Sequence, residues 1–306
     1  MKARATIVIV SYNARELLRK CLISLSAHAS HYPVMVVDNA SPDDSAAMVD
    51  QEFPHVRVLR NSINLGFGSA NNRGLAEVAT DCTFFLNSDT ELDGDPLPAL
   101  VRTLDDFPDA AVVGCQLRAP DGVAQRSARR FPSARQSLRN ALALPEPLPN
   151  ALADVDYVDG AAMLARTAAL REVGGFDERF FLYVEDADLC RRLHDRGWRV
   201  LYDPSVHVVH AGGGSARRGS RRDDRLRWEA LARYACLHFG RAQYAAFVCT
   251  RALELMRQTI TGGLWWAARR DLAARQRCMS ALRYLGWHVQ FLRRCATCTQ
   301  QSKSLG

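Results

Sequence analysis

Four short runs rich in β-branched and aromatic residues, Thr6–Val10, Val34–Val37, Val56–Leu59 and Cys82–Leu86, alternate with stretches in helical spacing. After the first run, Leu17, Leu18, Cys21, Leu22 and Leu25 recur at intervals of three and four, which marks one apolar helix face. Turn formers and helix caps after Asp38 predict a second helix beginning near Pro42. Asn64-Leu65-Gly66-Phe67-Gly68 opens a third, through Asn72 to Val78. Strands alternating with helices at this spacing predict βαβ units around a parallel sheet buried on both faces. Ligands of such sheets bind beyond the carboxyl ends of the strands. The first run ends at Ser11-Tyr12-Asn13, the second at Asp38-Asn39 and the fourth at Asn87-Ser88-Asp89. Polar and acidic groups therefore gather on one edge.

Charge divides the chain of 306 residues. Residues 1–216 hold 22 basic and 28 acidic side chains, and residues 217–306 hold 18 and 5. The shift follows Ala211-Gly212-Gly213-Gly214-Ser215, where a domain boundary is placed, giving domains 1–216 and 217–306. A basic segment of this kind points to an anionic partner. Trp265, Ala268, Leu272, Met279, Leu282, Leu285, Val289 and Leu292 follow helical spacing among arginines. This suits a helix lying in a membrane interface, or one packed on its own domain. No recognised module accompanies the charge, so nucleic acid is not expected. Uncharged apolar stretches fall short of the ~18 residues of a membrane span. The N-terminus lacks the pattern of a signal peptide. The nine cysteines form no spaced disulfide framework, and a reducing cytoplasm is the expected compartment. Cys295 and Cys298 lack a second pair for zinc.

The middle of the chain adds acids. Val158–Ala165 reads as a small-residue strand followed by a short helix to Val173. Gly174-Gly175-Phe176-Asp177-Glu178 then leads to Glu185-Asp186-Ala187-Asp188-Leu189, three carboxylates at the start of a helix that ends at Gly197. Val206–His210 reads as a strand delivering His207 and His210 to opposite faces or ends. Phosphate loops of the Gly-x-x-x-x-Gly-Lys or Gly-x-Gly-x-x-Gly type are missing after the first strand, which disfavours NTPase and dehydrogenase readings. Asp89 can instead hold a hard divalent cation, which takes one or two carboxylates plus phosphate oxygens.

Six segments, in order, resemble the family 2 glycosyltransferases of GT-A fold, and most of all their rhamnosyltransferase-like branch. They are Val10-Ser11-Tyr12-Asn13, Val36-Val37-Asp38-Asn39-Ala40-Ser41, Asn64-Leu65-Gly66-Phe67-Gly68-Ser69-Ala70-Asn71-Asn72, Leu86-Asn87-Ser88-Asp89, Gly174-Gly175-Phe176-Asp177-Glu178 and Glu185-Asp186-Ala187-Asp188-Leu189. The resemblance covers about residues 5–215. It implies an α/β, Rossmann-like, mostly parallel sheet flanked by helices, followed here by a basic α-helical C-terminal region. It further implies that Asp38 contacts the donor's base and that Val10 and Tyr12 line the nucleotide pocket. By the same resemblance Asn64, Gly66, Asn71, Asn87, Ser88 and Asp159 would complete the nucleotide-sugar site. Asp89 and His210 would ligate Mg²⁺ or Mn²⁺, and the catalytic pair would be Glu185 and Asp186, with Asp186 the base that deprotonates the acceptor. Asn87 departs from the Asp carried by many relatives, leaving one acidic ligand and more weight on His210.

The implied activity is an inverting transfer of rhamnose or another deoxyhexose from a nucleotide-diphosphate donor to a hydroxyl of a growing, lipid-linked bacterial glycan. It would take place on the cytoplasmic face of the inner membrane. Crowding of Glu185, Asp186 and Asp188 raises the pKa of one of them, which suits a base near neutral pH. Plainer readings stand beside these. Asp38 and Asp43 can cap a helix, the Glu-Asp pair can complement a helix dipole, and Gly66 can serve a tight turn. Asp188 and His207 read as structural. Gln125–Asp154, with Arg126, Arg129, Arg130, Arg135 and Arg139, reads either as a flap over the site or as a solvated loop. The alternative functions are a sugar-1-phosphate nucleotidyltransferase and a non-catalytic glycan- or membrane-binding scaffold.

Overall fold

A computed structural model describes residues 3–212, 221–269, 275–276, 278–284 and 286–287. The elements in chain order begin with β1 (Ala5–Ser11), α1 (Arg15–His28), β2 (Val34–Asp38), α2 (Ser45–Glu52), β3 (Arg57–Arg60), α3 (Phe67–Glu77) and β4 (Cys82–Asn87). There follow β5 (Thr90–Glu91), α4 (Leu97–Asp106), β6 (Ala110–Arg118), β7 (Ala124–Gln125), β8 (Ala128–Arg129) and α5 (Ala134–Ala141). Next come β9 (Ala153–Asp154), β10 (Tyr157–Val158), β11 (Ala162–Arg166), α6 (Thr167–Glu172), α7 (Glu185–His194) and β12 (Arg199–His210). The last two are α8 (Arg221–His238) and α9 (Arg241–Arg269). The chain forms two compact units. One is Met1–Phe131 with Pro147–Ala216, and the other is Pro132–Glu146 with Arg217–Gly306.

The first unit is built on a sheet of order β3-β2-β1-β4-β11-β6-β12-β5, with β7 on β6 and β9 on β12. The four strands read from the sequence are parallel neighbours, as right-handed βαβ crossovers require. Their side chains alternate between two cores. Ile7, Ile9, Val36, Phe84 and Leu86 meet Leu18, Leu22 and Met48 of α1 and α2. Val8, Val37 and Phe85 meet Ala70 and Leu75 of α3 and Leu170, Leu189 and Leu193 of α6 and α7. This two-sided burial explains why these strands read as continuous apolar runs. The sheet is mixed rather than wholly parallel, because β11 runs antiparallel between β4 and β6. Burial pushes the thiols of Cys21, Cys115 and Cys190 up to about 12, so these cysteines are core residues.

Two local expectations are corrected. The helix placed near Pro42 starts at Ser45, because Asp43 spends its carboxylate on three local donors. Its Oδ1 accepts from the Ser45 amide at 3.2 Å, its Oδ2 accepts from the Arg15 amide at 2.9 Å, and the Ser45 hydroxyl adds a third bond. Burial opposes charge there, but these donors hold the carboxyl below its ordinary range. The single strand expected over Val158–Ala165 is two strands, β10 and β11, broken at Asp159-Gly160-Ala161. β10 pairs with β8 outside the main sheet, while β11 enters it.

The loop before α7 is clamped to α3. Asn72 donates to the Phe176 carbonyl and accepts from the Phe176 amide, both at 2.8 Å. The Phe67 amide donates to the Phe181 carbonyl at 2.9 Å. Gly66, at φ +87°, permits that approach, since a Cβ there would stand 2.2 Å from the Phe181 oxygen. In α7 itself, Glu185, Asp186 and Asp188 occupy the first turn and Arg191, Arg192 and His194 the last, complementing the helix dipole at both ends.

In the second unit α5 packs on α9, and Asn140 donates to the Glu254 carboxylate at 3.2 Å. Pro132–Glu146 is thus a helix-bearing piece of this unit rather than part of one long flap. Of the expected C-terminal helix, Leu272, Leu285, Val289 and Leu292 lie outside the described residues, as do Cys295 and Cys298.

Gly66→Ala combines a disfavoured φ with a backbone clash, so urea denaturation is expected to show a loss of at least about 2 kcal/mol. Gly94→Ala, where a Cβ meets nothing within 4 Å, is the control and stays within about 0.5 kcal/mol of the parent. Equal stability of the two variants would contradict the clamp.

Candidate active site

The carboxyl ends of β1, β2 and β4 converge through strand register. Val10 lies between Val37 and Asn87, and Ser11 lies opposite Asp38. Asp38 is buried, its Oδ2 accepting from the Ser41 amide at 3.3 Å, while its Oδ1 has no protein partner. An acceptor left open in this way is costly unless a ligand donor meets it. The Ser11 hydroxyl, also buried and without a partner, went unnoticed in the sequence because serine after a strand is common. Tyr12 is exposed on the same edge.

Asn39 ties the neighbouring loop to this edge. Its amide donates to Asn64 Oδ1 at 2.9 Å and to the Gly66 carbonyl at 3.0 Å, and its oxygen accepts from Asn61 and from the Leu65 amide. Asn64 and Gly66 are therefore framework for the loop. Asn71 is buried within α3, donating to the Phe67 carbonyl one turn back. Glu185 is buried and faces the start of α3, where a Cβ on Gly68 would lie 3.7 Å from its own.

Asp186 turns the other way, toward the Asp159-Gly160-Ala161 break. Its Oδ2 accepts from the Gly160 amide at 3.2 Å and its Oδ1 from the Ala187 amide at 2.8 Å. The Ala161 carbonyl accepts from the Asn87 amide at 2.9 Å, so one turn joins the base of α7 to the end of β4. Asp159 is engaged by Arg129, whose Nε lies 2.6 Å from Oδ1 and whose terminal nitrogen lies 3.0 Å from Oδ2. Burial, reinforced by the negative charge of Asp159, pushes the Asp186 carboxyl up to about 6. Asp188 points away, into an ion pair with Arg192 at 2.7 Å.

Beyond β4, Ser88 is buried and Asp89 sits beside the last residue of β12. His210 Nε2 lies 3.3 Å from Asp89 Oδ1, and both side chains are mostly buried. Gln125 orients the ring. Its amide nitrogen donates to the His210 carbonyl at 2.8 Å, which leaves its oxygen 2.9 Å from Nδ1. That oxygen can only accept, so Nδ1 carries a proton and Nε2 is the ring nitrogen turned toward Asp89. A carboxylate oxygen and a ring nitrogen side by side suit a shared cation, with the outer ring nitrogen held as in known metal sites. Among the described residues no group of three or more His, Cys, Asp or Glu could hold a metal ion. Further ligands would have to come from phosphate oxygens or water. His207, on a different part of β12, pairs with Asp93 at 2.8 Å.

The structure brings Val10, Asp38, Asn87, Ser88, Asp89, His210, Asp159 and Asp186 to one sheet edge. Gln125 and Arg129 were missed as a pair. A single stretch from β7 to β8 carries both, with Ser127 between them accepting from the Asp159 amide through its carbonyl at 2.9 Å. Their spacing of four gave no signal, since their partners lie far off in sequence. Backbone strain also collects here. Asn13, Ala40, Tyr183 and Val184 all have positive φ, which is costly for a β-branched valine and typical of functional loops.

The glycosyl transferase family 2 model matches residues 6–174, and that of glycosyl transferase family 21 matches 147–293. An N-acetylglucosaminyl-diphospho-decaprenol L-rhamnosyltransferase of Mycobacterium tuberculosis is 34% identical over 230 residues, covering 67% of this chain and 75% of the relative. Rhamnosyltransferase WbbL of Escherichia coli is 29% identical over 220 residues, covering 67% and 82%. The mannosyltransferase PcManGT of Pyrobaculum calidifontis, solved with GDP-Man and Mn²⁺, superposes with a TM-score of 0.62 at 16% identity, over 95% of this chain and 88% of that one. These matches set aside the nucleotidyltransferase and scaffold alternatives, and the GT-A fold expected from the motifs is the fold observed. The chain belongs to glycosyl transferase family 2 and is a glycosyltransferase.

Proposed function

We propose that this glycosyltransferase moves rhamnose, or another deoxyhexose, from a nucleotide-diphosphate donor to a hydroxyl of a lipid-linked glycan, with inversion. The observation that carries the reading is Asp186. It is a carboxylate of raised pKa, fixed by two backbone amides and set next to an Asp that already has its own arginine. The named activities of the two relatives support the sugar, and the decaprenol-linked relative supports the acceptor class. Such an acceptor sets the work at a membrane surface, in this reading the cytoplasmic face of the inner membrane.

In this reading Asp38 Oδ1 accepts from the donor's base, Val10 and Tyr12 border the nucleotide, and Asn87 and Ser88 lie along it. Arg129 holds Asp159 in place through two bonds. The acceptor hydroxyl oxygen attacks the anomeric carbon, and the bond from that carbon to the nucleotide diphosphate breaks. The electron pair leaves with the phosphate oxygen, and the hydroxyl proton passes to Asp186. Glu185 supports the start of α7. Asp89 and His210 would hold Mg²⁺ or Mn²⁺, which when bound neutralises charge on the departing diphosphate. PcManGT was solved with Mn²⁺, which supports a divalent ion here.

Four measurements test this. Asp186→Asn is expected to lower kcat by about 10²–10⁴ while the donor's Kd, read by calorimetry, stays within about twofold of the parent. Retained turnover would remove Asp186 as base. A base must be ionised, so kcat/KM falls as pH drops through about 6. An unperturbed Asp would hold the rate down to about pH 4, and a profile flat to that point contradicts the assignment. EDTA is expected to abolish dTDP release from dTDP-rhamnose. Gln125→Leu, which frees the His210 ring, is expected to raise the Mn²⁺ concentration for half-maximal rate by about 10–100-fold. An unchanged metal titration would argue against His210 as ligand.

A further inference from the structure

Three acids of the second unit are turned inward. Asp223, Asp224 and Glu254 are buried and paired with Arg227, Arg283 and Arg251. Arg222, Arg225, Arg233, Arg241 and Arg275 are exposed, with Glu229 pairing Arg225. Much of the unit's basic excess thus lies on its surface.

α9 has two apolar faces, and among the described residues only one is covered. Phe247, Val248 and Leu255 are buried in the unit. On the other side Cys249, Leu253, Met256, Ile260, Leu264 and Ala267 are all exposed. At about 100° per residue these six fall within an arc of about 80° and run some ~27 Å along the helix. Leu253 is 49% exposed, Met256 44%, Ile260 62% and Leu264 65%. Arg257, half-buried, stands on the shoulder of the arc. An uncovered apolar stripe of this length marks an interaction surface. No helix among the described residues is long and apolar enough to cross a membrane, so the stripe suits lying along one.

Charge chooses the partner. The unit carries 20 basic and 6 acidic residues, so a second copy placed on the stripe would meet like charge. Nucleic acid would satisfy the arginines and leave the stripe in water. An anionic bilayer answers both, offering hydrocarbon to the stripe and negative headgroups to the arginines.

We propose that the exposed stripe of α9, from Cys249 to Ala267, lies in the interface of an anionic phospholipid bilayer, with the arginines of the same unit on its headgroups. This deepens the lipid-linked-acceptor reading, and its test uses no acceptor. If rhamnosyl transfer fails while vesicle binding stands, only the former reading falls.

The test is sedimentation of the full chain with vesicles of equal parts phosphatidylglycerol and phosphatidylcholine, against vesicles of phosphatidylcholine alone. Binding is expected to the first and to be weak to the second. Leu253→Glu and Ile260→Glu are expected to lower partitioning at least about tenfold. Thr261→Glu makes a comparable charge change at an exposed position outside the arc, and is expected to stay within about twofold. Circular dichroism and thermal melting of each variant identify any that misfold. Equal loss in all three variants, or none in Ile260→Glu, overturns the proposal. So does a parent that ignores vesicles and is a dimer by light scattering, rendered monomeric by Ile260→Glu.

Discussion

The half-buried pair of Arg129 with Asp159 governs the chemistry of the sheet edge. Asp159 and Asp186 stand beside the same short turn, and one guanidinium serves them both unequally. Arg129 grips Asp159 through two bonds, while Asp186 is left with backbone amides and a charged neighbour. That inequality separates the two acids by environment, which is how a pair of like groups comes to hold different protonation roles. It also carries a cost in stability. A carboxyl whose folded pKa is raised favours the folded state while protonated, and that benefit is lost as pH rises through about 6. At neutral pH the fold therefore holds Asp186 ionised against its preference, and the surrounding core must supply the difference.

Much of the first unit is legible because burial on two faces leaves apolar runs that no other element explains. β1 to β4 and α1, α3 and α7 follow from period and capping alone. The antiparallel entry of β11 does not, since Ala162–Arg166 looks like any short small-residue segment until β4 and β6 are seen on either side. α2 starts at Ser45, beyond the proline that marks its expected start, and Asp43 has more than one helix to serve. In the structure it serves the first residues of two, bonding the amides of both Arg15 and Ser45.

The candidate site divides along the same line. Asp38, Asp89, Asp186 and His210 were visible because an acid or imidazole at a strand or helix end is rare enough to notice. The roles of Gln125, Arg129 and Asn39 were not, as their meaning lies in partners far away in the chain. Among the residues that were named, Asn64 and Gly66 also take part in the hydrogen bonds of their loop. In the second unit composition alone showed the basic excess, but only the coordinates show that Asp223, Asp224 and Glu254 are buried and that, among the described residues, α9 leaves an apolar face open.

The stretch from β7 to β8 has a consequence for how the protein tolerates change. Gln125, Ser127 and Arg129 occupy alternate positions and reach three different parts of the edge: the His210 ring, the carbonyl of Cys115 and the Asp159 carboxylate. A residue inserted or deleted between Gln125 and Arg129 would take at least one of these groups out of reach of its partner. A surface connection, usually the place where a chain accepts length variation, is in this enzyme one whose length is set to the residue.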